Sequence, residues 1–178
     1  MTDQLKIQRA GVADAQELNR LVNSAYRGEE SKMGWTTEAE ILGGLRIDEP
    51  ALKELLAKEE TVILKSTNVE GNIIGTVCLE LKSGYIYLGM FAVSPGLQGG
   101  GIGKSLMRAA EEFGVAIGCS RIVISVISIR TELIDWYKRH GYVETGDGIA
   151  FEDIEGRFGD PKVAEIRLIE MEKLLTAS

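Results

Sequence analysis

The chain has 178 residues, 44% hydrophobic and 26% charged, which is the size and mix of an ordinary folded domain able to bury a sizeable core. Its formal net charge is −7 and no cluster of Lys and Arg stands out, which argues against nucleic acid or an anionic membrane as partner and only weakly favours cationic ligands such as amines. No apolar stretch is long enough to span a bilayer, and Met1–Gln4 has neither a basic start nor an apolar signal core. The two cysteines, Cys78 and Cys119, lie far apart in apolar runs, so free buried thiols in a cytoplasmic protein are expected rather than a disulfide.

Leu5–Arg9 alternates apolar and polar residues, as a half-buried strand does. Asp14 and Glu17 are spaced as a capping box for a helix whose Ala15, Leu18, Leu21, Val22 and Ala25 share one face. Tyr26 to Trp35, rich in glycine and charge, reads as a loop. Thr37 and Glu40 predict a cap for a second helix through Ile41, Leu42 and Leu45, kept short or bent by Gly43 and Gly44 at about 1 kcal/mol each. Pro50 suits the first turn of another helix, from Ala51 to Glu59. The period then changes. Thr61–Lys65, Ile73–Lys82 and Tyr85–Val93 read as strands, with turns at Asn68–Asn72 and Ser83–Gly84, and the short links predict an antiparallel meander. Ser105 to Ile117 is amphipathic and reads as a helix, and Arg121–Ile127 is a continuous apolar strand. Strand, helix, strand within that length predicts a parallel crossover. Thr131–His140 is the next helix and Tyr142–Thr145 a short strand. Gly146–Pro161 reads as a loop, and the alternation of Val163–Leu174 reads as a last strand. No repeat, linker or low-complexity tract interrupts the chain, so residues 3–175 are expected to form one domain.

Four glycines in the five residues from Gly99 to Gly103 stand where the strand ending at Val93 passes into the helix that includes Ser105. Glycine admits backbone conformations that a Cβ would block, and a glycine loop opening a helix presents unpaired N–H groups at the positive end of its dipole. That combination suits an anion, most often a phosphate. Lys104 and Ser105 follow as in a P-loop, but that pattern needs glycine where Gln98 stands. The dinucleotide pattern also fails, ending on Lys104 or on Leu106. What remains is Gln98-x-x-Gly101-x-Gly103, following Val93-x-Pro95 and opening a long helix.

This loop resembles the acyl-coenzyme A loop of the GNAT family of N-acetyltransferases. A second segment, Asp135-Trp136-Tyr137-Lys138-Arg139-His140-Gly141-Tyr142, is similar to the family's aromatic-Tyr-x-x-x-Gly-aromatic motif, and the two stand in the family's order and spacing. The resemblance covers about Leu5 to Leu174. It implies an α/β (α+β) fold with a mixed, mostly antiparallel central sheet flanked by helices, the acyl-CoA N-acyltransferase fold. It also implies acetyl transfer from acetyl-coenzyme A to a primary amine, without a metal. The family often has Asn and Ala seven and four residues before the tyrosine, where this chain has Arg130 and Leu133. The usual basic residue after Gln98 is replaced by Gly99 and Gly100, which leaves more of the phosphate to bare amides. The resemblance leaves the oligomeric state open, with a homodimer common in the family.

Acyl transfer to an amine needs the donor held, the amine neutral, the oxyanion stabilised and the leaving thiolate protonated. Holding the donor is assigned to the backbone of Gly99, Gly100, Gly101, Ile102 and Gly103, with Gln98, Lys104 and Ser105 adjacent. The resemblance implies that Phe91, Ala92 and Val93 pair with the amide arm of pantetheine, and that Arg130 and Leu133 occupy its cofactor-facing positions. It also implies a bulge near Met90–Phe91 whose freed N–H serves the oxyanion. Tyr137 is the candidate acid for the thiolate. Glu80 is the candidate base by family analogy, with an outward-facing strand carboxylate as the alternative. The resemblance implies that the early stretch holding Glu29, Glu30, Trp35 and Glu38 forms the acceptor wall, where tryptophan beside acids suits an organic cation, and Tyr85, flanking the Glu80 region, is a further substrate-binding candidate. His140, the only histidine, stands near a helix end and is assigned to the helix dipole rather than to catalysis. No cysteine is placed as a covalent carrier, so direct attack in a ternary complex is expected. The alternatives are a coenzyme A-binding sensor without catalysis and a nucleotide-binding domain built on the near-P-loop.

Overall fold

Labelled in chain order, the strands are β1 (Lys6–Arg9), β2 (Leu42–Gly43), β3 (Thr61–Thr67), β4 (Ile73–Leu81), β5 (Tyr85–Val93), β6 (Arg121–Ile127), β7 (Val143–Ala150), β8 (Asp160–Pro161) and β9 (Arg167–Leu174). The helices are α1 (Ala15–Tyr26), α2 (Glu49–Ala57), α3 (Ile102–Ala116) and α4 (Thr131–Arg139). These come from a computed structural model, which describes residues 5–26, 42–43, 47–98, 100–150, 160–161 and 167–176.

Seven strands form one sheet of order β1-β3-β4-β5-β6-β9-β7, while β2 and β8 pair separately. β3, β4 and β5 are the antiparallel meander. β5 and β6 run parallel, because α3 carries the chain across between them. Helices cover both faces, which is why β4 is buried along nearly its whole length. Side chains alternate between two cores. Ile63, Cys78 and Met90 pack with Leu18, Val22 and Leu52 of α1 and α2. Val62, Val77, Leu79, Leu88 and Ile124 pack with Leu106 and Met107 of α3 and Ile134 and Tyr137 of α4.

The feature that shapes the molecule lies in the middle of β5. Cys78 stands opposite Gly89 and Thr76 opposite Ala92, so two steps of β4 face three of β5. The extra residue falls at Met90–Phe91, and Met90 has φ of 46°, a left-handed value rare for a side-chain-bearing residue. The pairing of β5 with β6 runs from Tyr85 opposite Arg121 to Leu88 opposite Ile124 and stops there. β6 remains paired with β9 as far as Ile127. The two parallel strands therefore part at the bulge, and a wedge opens toward their C-terminal ends.

Three expectations are corrected. Leu42 and Gly43 are a strand paired with Pro161 and Asp160, not part of a helix. The strand after α4 does not end at Thr145 but runs to Ala150. Its side-chain pattern is broken where Gly146 has φ of 92° and the register with β9 slips between Glu144 and Gly148. Past Thr145, whose hydroxyl donates to Glu170 of β9, the ladder continues through backbone groups, and Gly148 permits it, since a Cβ there would stand 2.7 Å from the Leu168 carbonyl oxygen. The predicted capping box is also rewired. The Asp14 carboxylate accepts from the Gly11 N–H at 2.9 Å and from the Lys65 ammonium at 3.0 Å, while Glu17 accepts from the N–H of Ile73 at 2.8 Å. These two carboxylates tie the start of α1 to β3 and β4. The rest of the predicted helix from Thr37, and the start of the last strand at Val163, lie outside the described residues.

Burial pushes the Asp14 carboxyl up, but the Gly11 N–H and the Lys65 ammonium together outweigh it and hold it below its usual range. A carboxyl depressed in the folded state stabilises above its unfolded value near ~3.9, and the contribution is lost as pH falls through the folded value. Asp14→Asn is expected to cost about 1 kcal/mol at neutral pH. In urea titrations at a series of pH values, the gap between the two proteins should close below pH ~4.

Candidate active site

The wedge is a cavity of about 280 Å3. Phe91, Ala92 and Val93 line it from the stretch of β5 beyond the bulge, and Ala25 closes it at the end of α1. Along this stretch, among the described residues, the edge of β5 that faces β6 has no strand partner. A ligand lying there would meet backbone donors and acceptors in strand geometry.

At one end stands the glycine loop. Pro95–Leu97 forms a 3-10 turn, and the Gln98 side-chain amide donates to the Val93 carbonyl at 3.2 Å, tying the loop back to its strand. Gly101 has φ of 87° and ψ of 1°, and α3 starts at the next residue, earlier than the sequence pattern suggests. The left-handed residue reverses the chain tightly enough for helix to begin at once. The Ser105 N–H donates to the Gly101 carbonyl at 3.0 Å, and so does the Ser105 hydroxyl, also at 3.0 Å. The N–H groups of Ile102, Gly103 and Lys104 therefore precede the first α-helical bond, with no side chain capping them. Gln98, Gly101, Gly103 and Lys104 line the cavity. Ile102 turns its side chain into the core, and the Ser105 hydroxyl bonds back to the Gly101 carbonyl, so neither side chain lines the cavity.

The opposite wall is one face of α4. Arg130, Leu133, Tyr137 and His140 recur at helical spacing and all line the cavity, with Trp136 beside them. Arg130, just before the helix, and Tyr137 are each only 5% exposed. Aromatic rings join the two walls. A Cβ on residue 103 would lie 3.0 Å from the Phe91 ring, so the glycine makes room for it. Phe91 and Trp136 have centroids 5.6 Å apart, and Trp136 stacks on His140 at 3.9 Å. Tyr137 meets Tyr142 edge-on at 5.6 Å. Tyr142 does not line the cavity but props the helix from behind, where burial, with the charge of Glu111 nearby, pushes its phenol far above its ordinary range.

Two candidates are not brought together with this site. Glu80 lies opposite Tyr87, on the far side of the bulge, and pairs with Lys82 at 3.7 Å. Tyr85 lies at the start of β5, roughly 25 Å along the strand from Val93. Its ring lies under the Arg121 guanidinium at 4.8 Å. Strand patterning reports which face a residue takes but not how far along the sheet the chemistry sits. Gly100 stands in the loop without lining the cavity. Glu29, Glu30, Trp35 and Gly99 lie outside the described residues. Sequence reasoning passed over Ala25, Trp136 and His140 as cavity residues. The spacing of His140 from Tyr137 and Leu133 marks it as sharing their face, whereas nothing local marks Ala25. Among the described residues no group of three or more His, Cys, Asp or Glu could hold a metal ion, and no helix is long and apolar enough to cross a membrane.

A splayed parallel pair, a bulge, a glycine loop opening a helix and a tyrosine across the gap define an acyltransferase of one class. The model of the acetyltransferase (GNAT) family matches residues 16–142, and the chain belongs to that family. Among solved structures it is similar to the ribosomal-protein alanine N-acetyltransferase of Escherichia coli, at 12% identity and a TM-score of 0.72 over 98% of this chain and 96% of that one. A GNAT-family acetyltransferase from Streptococcus pneumoniae matches at 19% identity and a TM-score of 0.66, covering 96% and 99%. A chimera of the spermidine N-acetyltransferase of Vibrio cholerae matches at 19% and 0.68, covering 97% and 96%. At these identities the likeness is one of fold. No curated protein matches the chain.

Gly101→Ala places a Cβ in open space, so only its φ opposes the change, and a loss of about 1–2 kcal/mol is expected. Gly96, with open space and no left-handed φ, is the control: Gly96→Ala should leave the melting temperature within a degree or so of the parent.

Proposed function

We propose that the protein moves an acetyl group from acetyl-coenzyme A to a primary amine by direct attack in a ternary complex. The observation that carries this reading is the parting of β5 from β6 at the bulge, beside a loop that presents unpaired N–H groups. Those amides and Lys104 would hold the diphosphate, with Arg130 adding a second cation at the cavity wall. Gln98 would serve by holding the loop onto Val93. Pantetheine would lie as an added strand along Phe91–Val93, bringing its thioester to the bulge. There a backbone N–H freed at Met90–Phe91 would meet the oxyanion as the amine attacks. The Tyr137 phenol, buried in the same cavity, would protonate the departing thiolate. Cys78, buried, and Cys119, half-buried, are not joined in a disulfide, which fits a reducing cytoplasm. The proteins of similar fold include one that acetylates an alanine of a ribosomal protein and one that acetylates spermidine, so the fold leaves the acceptor open.

A panel of amines assayed for free thiol release with acetyl-coenzyme A tests the reading. Turnover on at least one amine is expected. Tyr137→Phe should lower kcat about 100-fold while calorimetry finds coenzyme A affinity within about twofold of the parent. Coenzyme A binding without thiol release from any amine would turn the protein into a sensor instead of an enzyme.

A further inference from the structure

We propose that His140 is the proton acceptor for the incoming ammonium, an assignment that rests on the acetyl-transfer reading above. An aliphatic amine is protonated at neutral pH and cannot attack until it loses a proton. Among the described residues no carboxylate lines the cavity, Glu80 included. The titratable and charged groups in the lining are Lys104 from α3, Tyr137 from α4, and Arg130 and His140 from the residues flanking α4, while β5 and α1 contribute none. Of these side-chain types, imidazole alone ordinarily titrates close to neutral pH.

The geometry also chooses the nitrogen. His140 Nδ1 lies 2.7 Å from the carbonyl oxygen of Trp136. A carbonyl only accepts, so Nδ1 carries the hydrogen and the lone pair of the neutral ring stands on Nε2. The stack on Trp136, centroids 3.9 Å apart with planes at 29°, holds the ring on one face. With Nδ1 tied to the helix and one face covered, Nε2 is the ring's remaining polar edge. His140 caps the C-terminus of α4 three residues after Tyr137, a helical spacing that sets the two Cβ atoms about 5–6 Å apart. Base and acid thus share one wall of one cavity.

The protons balance. Nε2 takes one proton from the ammonium, directly or through a water. The amine nitrogen then forms its bond to the thioester carbonyl carbon. The tetrahedral intermediate breaks its C–S bond, and the sulfur leaves with the electron pair and takes the phenolic proton of Tyr137. The nitrogen's second surplus proton restores the phenol, and the proton on Nε2 passes to solvent. The ammonium has lost two protons, one now on the thiol and one in bulk water.

Because the chain has a single histidine, a tag-free sample labelled with 15N shows one imidazole. Long-range proton–nitrogen correlation spectra of the neutral ring should show Nδ1 protonated and Nε2 bare, and the opposite tautomer would overturn the assignment without any activity measurement. The second test is His140→Asn, whose amide keeps a donor near the place of Nδ1 but offers no base. It should lower kcat at least tenfold, leave KM for acetyl-coenzyme A within about twofold, and abolish the acidic limb of kcat/KM for the amine. A variant with the parent's kcat and pH profile would show that His140 only secures the helix, and the acetyl-transfer reading would survive. No thiol release by the parent protein on any amine would end that reading and this assignment together.

Discussion

One extra residue in β5 governs the rest of the molecule. Sheet hydrogen bonding between parallel strands requires matched twist and spacing, and a bulge that re-aims the chain ends it. Here pairing with β6 ceases at Leu88, one residue short of Gly89 and the left-handed Met90. The unpaired backbone edge that follows would be a liability in a sheet interior unless something else occupied it. In the proposed reading the pantetheine arm, with its own amides, fills that edge. The strain at Met90 is supported by its burial among α1 and α2 residues on the other face, so the bulge is held from behind while its front edge faces the cavity.

A second constraint is one of size. Gly103 accommodates Phe91, Phe91 meets Trp136, and Trp136 carries His140. The smallest residue of the loop thus admits the first ring of a series that crosses the wedge to α4. The glycine loop, proposed to hold the anion, and the Tyr137–His140 wall, proposed to move the protons, thus lie on elements that touch through rigid aromatic contacts. The cavity lining is cationic or neutral among the described residues, although the chain as a whole carries a net charge of −7. The local field at the loop suits a polyanionic donor, and the overall charge says little about it.

Much of the fold was legible because its signals are local. The limits of β5 and β6 were read correctly from turn residues and apolar runs, and α4 to within a residue, since glycine turns and helical periodicity act over a few residues. The loop and the Tyr137 segment were joined through their resemblance to two motifs of the acetyltransferase family that stand in the same order and spacing. β7 was missed past Thr145 because its pairing with β9 is made by backbone groups that leave no side-chain pattern. The β2–β8 pair was missed for a related reason: a two-residue bridge between distant segments has no period to detect. The candidate site divides in the same way. Tyr137 and Arg130, assigned from the family resemblance, both line the cavity, whereas Glu80 and Tyr85 lie away from it along a strand.

From the order of residues alone came the element types, the parallel crossover and a glycine loop fit for an anion, all consequences of forces between near neighbours in the chain. Which groups share one cavity was decided only by the packed structure. Where β5 leaves β6, how α4 lies across the gap, and which nitrogen of His140 bears its hydrogen depend on contacts between segments that the chain holds far apart or on a bond that only the folded backbone supplies. Sequence spacing specifies a face, and tertiary packing specifies what that face meets.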